Sequence, residues 1–128
     1  GLVGSEMCIR DRVMIEYTFA HMGINCANAE EARKGAALLE ALFGLTVREG
    51  NSSVFAGKDV ELMKSPYLGK NGHIAIGTPD VAAAVEELKS QGFAFNMESA
   101  KYKADGTLNA IYLADEICGF AVHLMGNK

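Results

Sequence analysis

The sequence predicts an α+β domain: two βαβββ modules whose curved, mixed sheets form a cleft. Three observations carry that expectation. First, the chain repeats itself. Ala20-His21-Met22-Gly23-Ile24 matches Gly72-His73-Ile74-Ala75-Ile76, and Val60-Glu61-Leu62-Met63 matches Val122-His123-Leu124-Met125. Similar words in the same order, with a period of roughly 50–60 residues, mark an internal duplication. Second, each half holds one segment of helical period followed by short alternating segments separated by glycine-containing turns. Third, the sequence has three histidines, and all three occupy repeated positions, with Glu61 at the fourth.

Residues 1–12 (GLVGSEMCIRDR) show no period and read as a non-native leader, adapter-like or a tag, so they are set aside. The domain is then 13–128, built from modules 16–64 and 72–126. Residues 16–26 alternate as a strand. Asn28 followed by Glu31 is a capping-box start, and from Ala29 onward Ala32, Ala36, Leu39 and Phe43 share one helical face, which Gly44 ends. Strands are expected at 46–49, 53–56 and 60–64, with Gly50-Asn51 and Gly57-Lys58 as hairpin turns. Residues 65–72, with Pro66 and two glycines, form the linker. The order then repeats. A strand at 73–77 leads into a helix opened by Thr78-Pro79-Asp80, in which Val81, Ala84, Val85 and Leu88 form one apolar face. Gly92 ends that helix, and strands at 94–98, 108–113 and 120–125 follow.

Side chains alternate across a strand, so Met22 and Ile24, Ile74 and Ile76, Val60 and Leu62, and Val122 and Leu124 point to the helices. The opposite face then carries His21, Glu61, His73 and His123. A one-residue slip would exchange the faces, which ties the polar set to the core. Gly23, Ala75, Gly77 and Ala121 on the same face leave room above the sheet. Three imidazoles and a carboxylate suit a borderline divalent cation: Zn²⁺, Ni²⁺, Fe²⁺ or Mn²⁺. Asn51, Ser52 and Ser53 read as turn residues, and Lys101, Tyr102 and Lys103 as a solvated loop.

The formal net charge of −4 gives no footprint for nucleic acid or anionic membrane. No apolar run approaches the roughly 20 residues of a membrane span, and no signal peptide is visible. Once Cys8 in the leader is set aside, Cys26 and Cys118 lack metal-type spacing. Both are expected as reduced, small buried hydrophobes of a cytoplasmic protein.

The segments F-A-H-M-G-I-N, V-E-L-M, G-H-I-A-I-G and A-V-H-L-M resemble the vicinal oxygen chelate superfamily, which includes glyoxalase I, methylmalonyl-CoA epimerase, extradiol dioxygenases and fosfomycin-resistance proteins. The resemblance covers residues 16–126. It is narrower toward the small glyoxalase-like domain found after 2-keto-3-deoxy-6-phosphogluconate / 4-hydroxy-2-oxoglutarate aldolases. It implies metal ligands from the first and last strand of each module, here His21, Glu61, His73 and His123. It also implies a metal-dependent lyase or isomerase acting on a small anionic oxygenated substrate, keto-acid or enediolate-like, and a homodimer. The alternative is a non-catalytic metabolite-binding or accessory domain beside an aldolase domain. Glyoxalase I and the epimerase carry a carboxylate where this chain has His123. A divalent ion in the His₃Glu set leaves a net positive charge, which favours an anionic oxygen ligand.

Overall fold

The computed structural model describes residues 15–127, so the leader assigned to 1–12 lies outside the described residues. Within them the chain runs β1 (Thr18–Asn25), α1 (Ala29–Phe43), β2 (Val47–Glu49), β3 (Ser53–Ala56) and β4 (Val60–Met63). It continues with β5 (Gly72–Thr78), α2 (Val81–Ser90), β6 (Phe95–Tyr102), β7 (Leu108–Leu113) and β8 (Phe120–Gly126). This is βαβββ twice. The strands form one open sheet in the order β2-β3-β4-β1-β5-β8-β7-β6. β1 and β5 pair antiparallel at its centre, while the first and last strand of each module pair parallel, β1 with β4 and β5 with β8. The duplication therefore meets at a pseudo-two-fold between β1 and β5.

Local chemistry sets the helix ends. The Asn28 side chain accepts from the Glu31 amide at 2.8 Å, and the Glu31 carboxylate accepts from the Ala27 amide at 2.9 Å. The first bond satisfies one of the amides that helix geometry leaves unpaired, and the second ties down the chain just before the cap. Gly44, at φ 73°, closes α1 in the left-handed conformation that favours glycine. In α2 the cap is Asp80, which accepts from the Ala83 amide at 3.1 Å. Pro79 precedes that cap and does not occupy the first turn.

Each module has its own core on the helix side of the sheet. Ala32 and Ala36 of α1 pack with Val54, Ala56 and Leu62, and Cys26 closes this cluster. Val81, Ala84 and Val85 of α2 pack with Phe95, Ile111 and Leu124. The small α1 residues let the helix lie close on the sheet. Three expectations need correction. Phe43 is 69% exposed: the three-residue edge strand β2 offers the last turn of α1 little apolar surface. Cys118 is exposed and takes φ 53° in the turn before β8, so of the two described cysteines Cys26 alone acts as a buried hydrophobe. Lys101 and Tyr102 belong to β6, an edge strand whose exposed, polar end has no apolar period to read. Among the described residues no helix is long and apolar enough to cross a membrane.

Candidate metal centre

Two adjacent rows of cross-strand partners cross the face away from the helices. One row runs Arg48, Phe55, Glu61, Gly23, His73, Ala121, from β2 through β8. The next runs His21, Ala75, His123, Tyr112, Asn96, from β1 to β6. Directly paired residues point to the same face. Around the histidines large and small residues alternate, Glu61-Gly23-His73-Ala121 in one row and His21-Ala75-His123 in the other, and the small residues make space for the imidazoles. A β-bulge between Phe19 and His21 marks the entry to this face.

All four residues expected from the repeat converge within a single chain. His21 Nε2 lies 3.2 Å from His73 Nε2. One oxygen of Glu61, Oε1, lies 3.2 Å from His21 Nε2 and 3.1 Å from His73 Nε2. The ligand atoms of His21, His73 and His123 all fall within 4.8 Å of one another, so His123 stands slightly back from the tighter trio. A cation with bonds of about 2.1 Å separates neighbouring ligands by about 3.0 Å at octahedral and about 3.4 Å at tetrahedral angles. The spacing of the two nitrogens and one oxygen matches that of adjacent ligands around such an ion, and the donor chemistry fits a divalent cation.

Gly23 is the cradle of this arrangement. A Cβ there would lie 2.0 Å from His73 Cε1 and 2.3 Å from its Nδ1, so the imidazole occupies the volume a side chain would need. His73 is only 4% exposed, and its Nδ1 is buried without a hydrogen-bond partner among the described residues. His123 Nδ1 stands 3.3 Å from the Leu124 carbonyl, which can only accept. The proton accordingly sits on Nδ1 and leaves a lone pair on Nε2.

Electrostatics set the charge of Glu61 and of His123. Burial pulls the Glu61 pKa upward, but hydrogen bonds from His21, His73 and Ser53 outweigh it and hold the carboxyl well below the usual carboxylate range. Burial lowers His123 to about 4, against a raising contribution from the Leu124 carbonyl, so the ring is neutral near pH 7. Tyr112, whose ring centroid is 4.8 Å from that of His123, is pushed up to about 12, chiefly by burial and then by Tyr67 and Glu61; it stays a protonated donor.

Ser53 is a correction. It is not a solvated turn residue: it is 3% exposed in β3, and its hydroxyl donates to Glu61 Oε2 at 2.6 Å, leaving Oε1 to face the imidazoles. A polar residue opening an otherwise apolar strand (Ser-Val-Phe-Ala) was the available signal. Phe55, edge-on to His21 at 6.0 Å, and Tyr112 were also missed, because only strand register reveals them as neighbours of the site.

No family model matches the chain, and no curated protein matches it. Solved structures do. A hypothetical protein from Bacillus halodurans superposes with a TM-score of 0.63 at 17% identity, covering 88% of this chain and 96% of that one. Methylmalonyl-CoA epimerase from Streptomyces coelicolor, in complex with 2-nitronate-propionyl-CoA, gives 0.60 at 21%, covering 86% and 94%. The Mycobacterium tuberculosis epimerase gives 0.60 at 16%, covering 86% and 87%. The fold is glyoxalase-like. At these identities the likeness concerns architecture, and a fold of this kind hosts more than one chemistry.

Proposed function

We propose that this chain is a metal-dependent isomerase or lyase of the vicinal oxygen chelate type, acting on a small anionic oxygenated substrate of keto-acid or enediolate-like character. The observation that carries the reading is the triangle of His21, His73 and Glu61 donor atoms with edges of 3.1 to 3.2 Å, joined by His123. These four residues would hold the ion, one of Zn, Ni, Fe or Mn. A bound divalent cation supplies Lewis-acid polarisation of a substrate oxygen. The chain's own residues do the rest. Glu61 contributes the one negative charge of the set, so a filled site retains positive charge and selects anions. Ser53 fixes which carboxylate oxygen faces inward. Tyr112 offers a neutral hydroxyl beside His123 that can donate to a substrate oxygen, and Phe55 walls the opposite side. That two solved neighbours in fold are epimerases supports the isomerase half of the reading. A homodimer in the cytoplasm, with an aldolase domain as a candidate partner, belongs to the same proposal.

The test is proton exchange next to a carbonyl. Metal-loaded protein is incubated with short 2-keto acids in heavy water, and deuterium uptake is followed by NMR. Uptake faster than with His73→Ala protein is expected. Tight metal binding and keto-acid binding without exchange would replace the enzyme with the accessory, metabolite-binding alternative.

A further inference from the structure

The cavity that opens beside His21 is chemically one-sided. Its volume is about 380 Å³, and its wall includes Arg48 and Lys58 with Phe55 and Met125, but no carboxylate. In a chain of formal charge −4 this is a local reversal of sign. Two other cations of this module, Arg33 and Lys64, are neutralised by Glu49. Among the described residues neither Arg48 nor Lys58 has a carboxylate partner. Arg48 is nevertheless held in place. Its guanidinium carbon lies 4.5 Å from the centre of the Phe55 ring, and that ring meets the edge of His21. Arg48, Phe55 and Glu61 are successive members of one cross-strand row. The Arg48 backbone is thus two strand spacings, about 10 Å, from that of Glu61. A guanidinium laid over Phe55 covers part of that interval, and His21, in the wall of the same cavity, stands at the cluster's end of it.

We propose that Arg48 and Lys58 anchor a remote carboxylate or phosphate of the substrate, whose other, oxygen-rich end lies at the His21, His73 and Glu61 cluster. The substrate is then a dianion, with its linking carbons against Phe55 and Met125. Arginine's planar fork matches either oxyanion through paired N–H donors, and Lys58 adds a point charge. The inference rests on the metal-centre reading above and narrows its substrate class from an anion to a molecule charged at both ends.

Matched probes test it. Metal-loaded protein is titrated calorimetrically with 2-oxobutyrate against 2-oxoglutarate, which adds a remote carboxylate, and with glycerate against 3-phosphoglycerate, which adds a remote phosphate. The same titrations follow on Arg48→Gln and Lys58→Gln proteins, with metal content measured in each. The expected result is that at least one added anion tightens binding tenfold or more in the native chain. Both substitutions should remove most of that gain, with one-ended probes and metal content unchanged. The arm that shows the gain identifies the anion. Equal affinity for one-ended and two-ended probes in both arms, or a gain that survives both substitutions, overturns the anchor while leaving the metal centre standing. A native chain that takes up no metal overturns the metal centre, and the anchor with it.

Discussion

Alanine at Gly23 would place a methyl carbon 2.0 Å from His73 Cε1, 2.3 Å from Nδ1 and 2.7 Å from Nε2. Ordinary carbon contacts begin near 3.4 Å, so the imidazole has to retreat by more than about 1 Å. It cannot do so freely, because His73 is buried between β1 and β8. Metal bonds tolerate deviations of about 0.2 Å, so a retreat of that size amounts to losing a ligand. We expect Gly23→Ala to weaken metal affinity by about 100-fold or more and to destabilise the metal-free fold by about 1–3 kcal/mol through overpacking. Competition titration against a chromophoric chelator measures the first, and urea unfolding the second. Gly35→Ala is the control. Its new methyl meets only the flexible end of Leu62, at 2.7 Å, on the helix side of the sheet, so metal affinity should hold. Native metal affinity in Gly23→Ala would refute the placement of His73 as a ligand.

Three further outcomes follow from the same geometry. Ser53→Ala removes the 2.6 Å hydrogen bond that orients Glu61, and metal affinity should fall about 10- to 100-fold in the same chelator competition, with unchanged affinity refuting the positioning role. In metal-free protein, His123 is depressed to about 4 from an ordinary 6.5, so the unfolded chain binds more protons between those values. Its contribution is complete above about pH 6.5 and is lost as pH falls toward 4, up to about 3 kcal/mol; urea midpoints should decline across that window and decline less in His123→Gln. Because one chain assembles all four donors, mixing His21→Ala with His73→Ala chains should restore no metal binding even if sedimentation shows a dimer; recovery would mean that sites are shared between chains.

The duplication and the face carrying His21, Glu61, His73 and His123 were legible because alternation and repeat position are properties of single strands. The Asn28 and Glu31 cap likewise acts over three residues, and α1 begins and ends where that chemistry and Gly44 place it. Ser53, Phe55, Arg48 and Tyr112 were not legible as a group. Their meeting depends on register between strands, and a turn such as Asn51-Ser52-Ser53 gives no hint that its last hydroxyl folds inward onto Glu61. The end of β6 was lost for a different reason. An edge strand can be polar on both faces, and Lys101-Tyr102 then looks like loop.

The most direct measurement is metal stoichiometry by elemental analysis on the purified chain and its variants. One divalent ion per chain is predicted for the native sequence, with occupancy near zero in His21→Ala and in His73→Ala under the same loading. A native chain that stays metal-free at full stability, or variants that keep full occupancy, would contradict the metal centre.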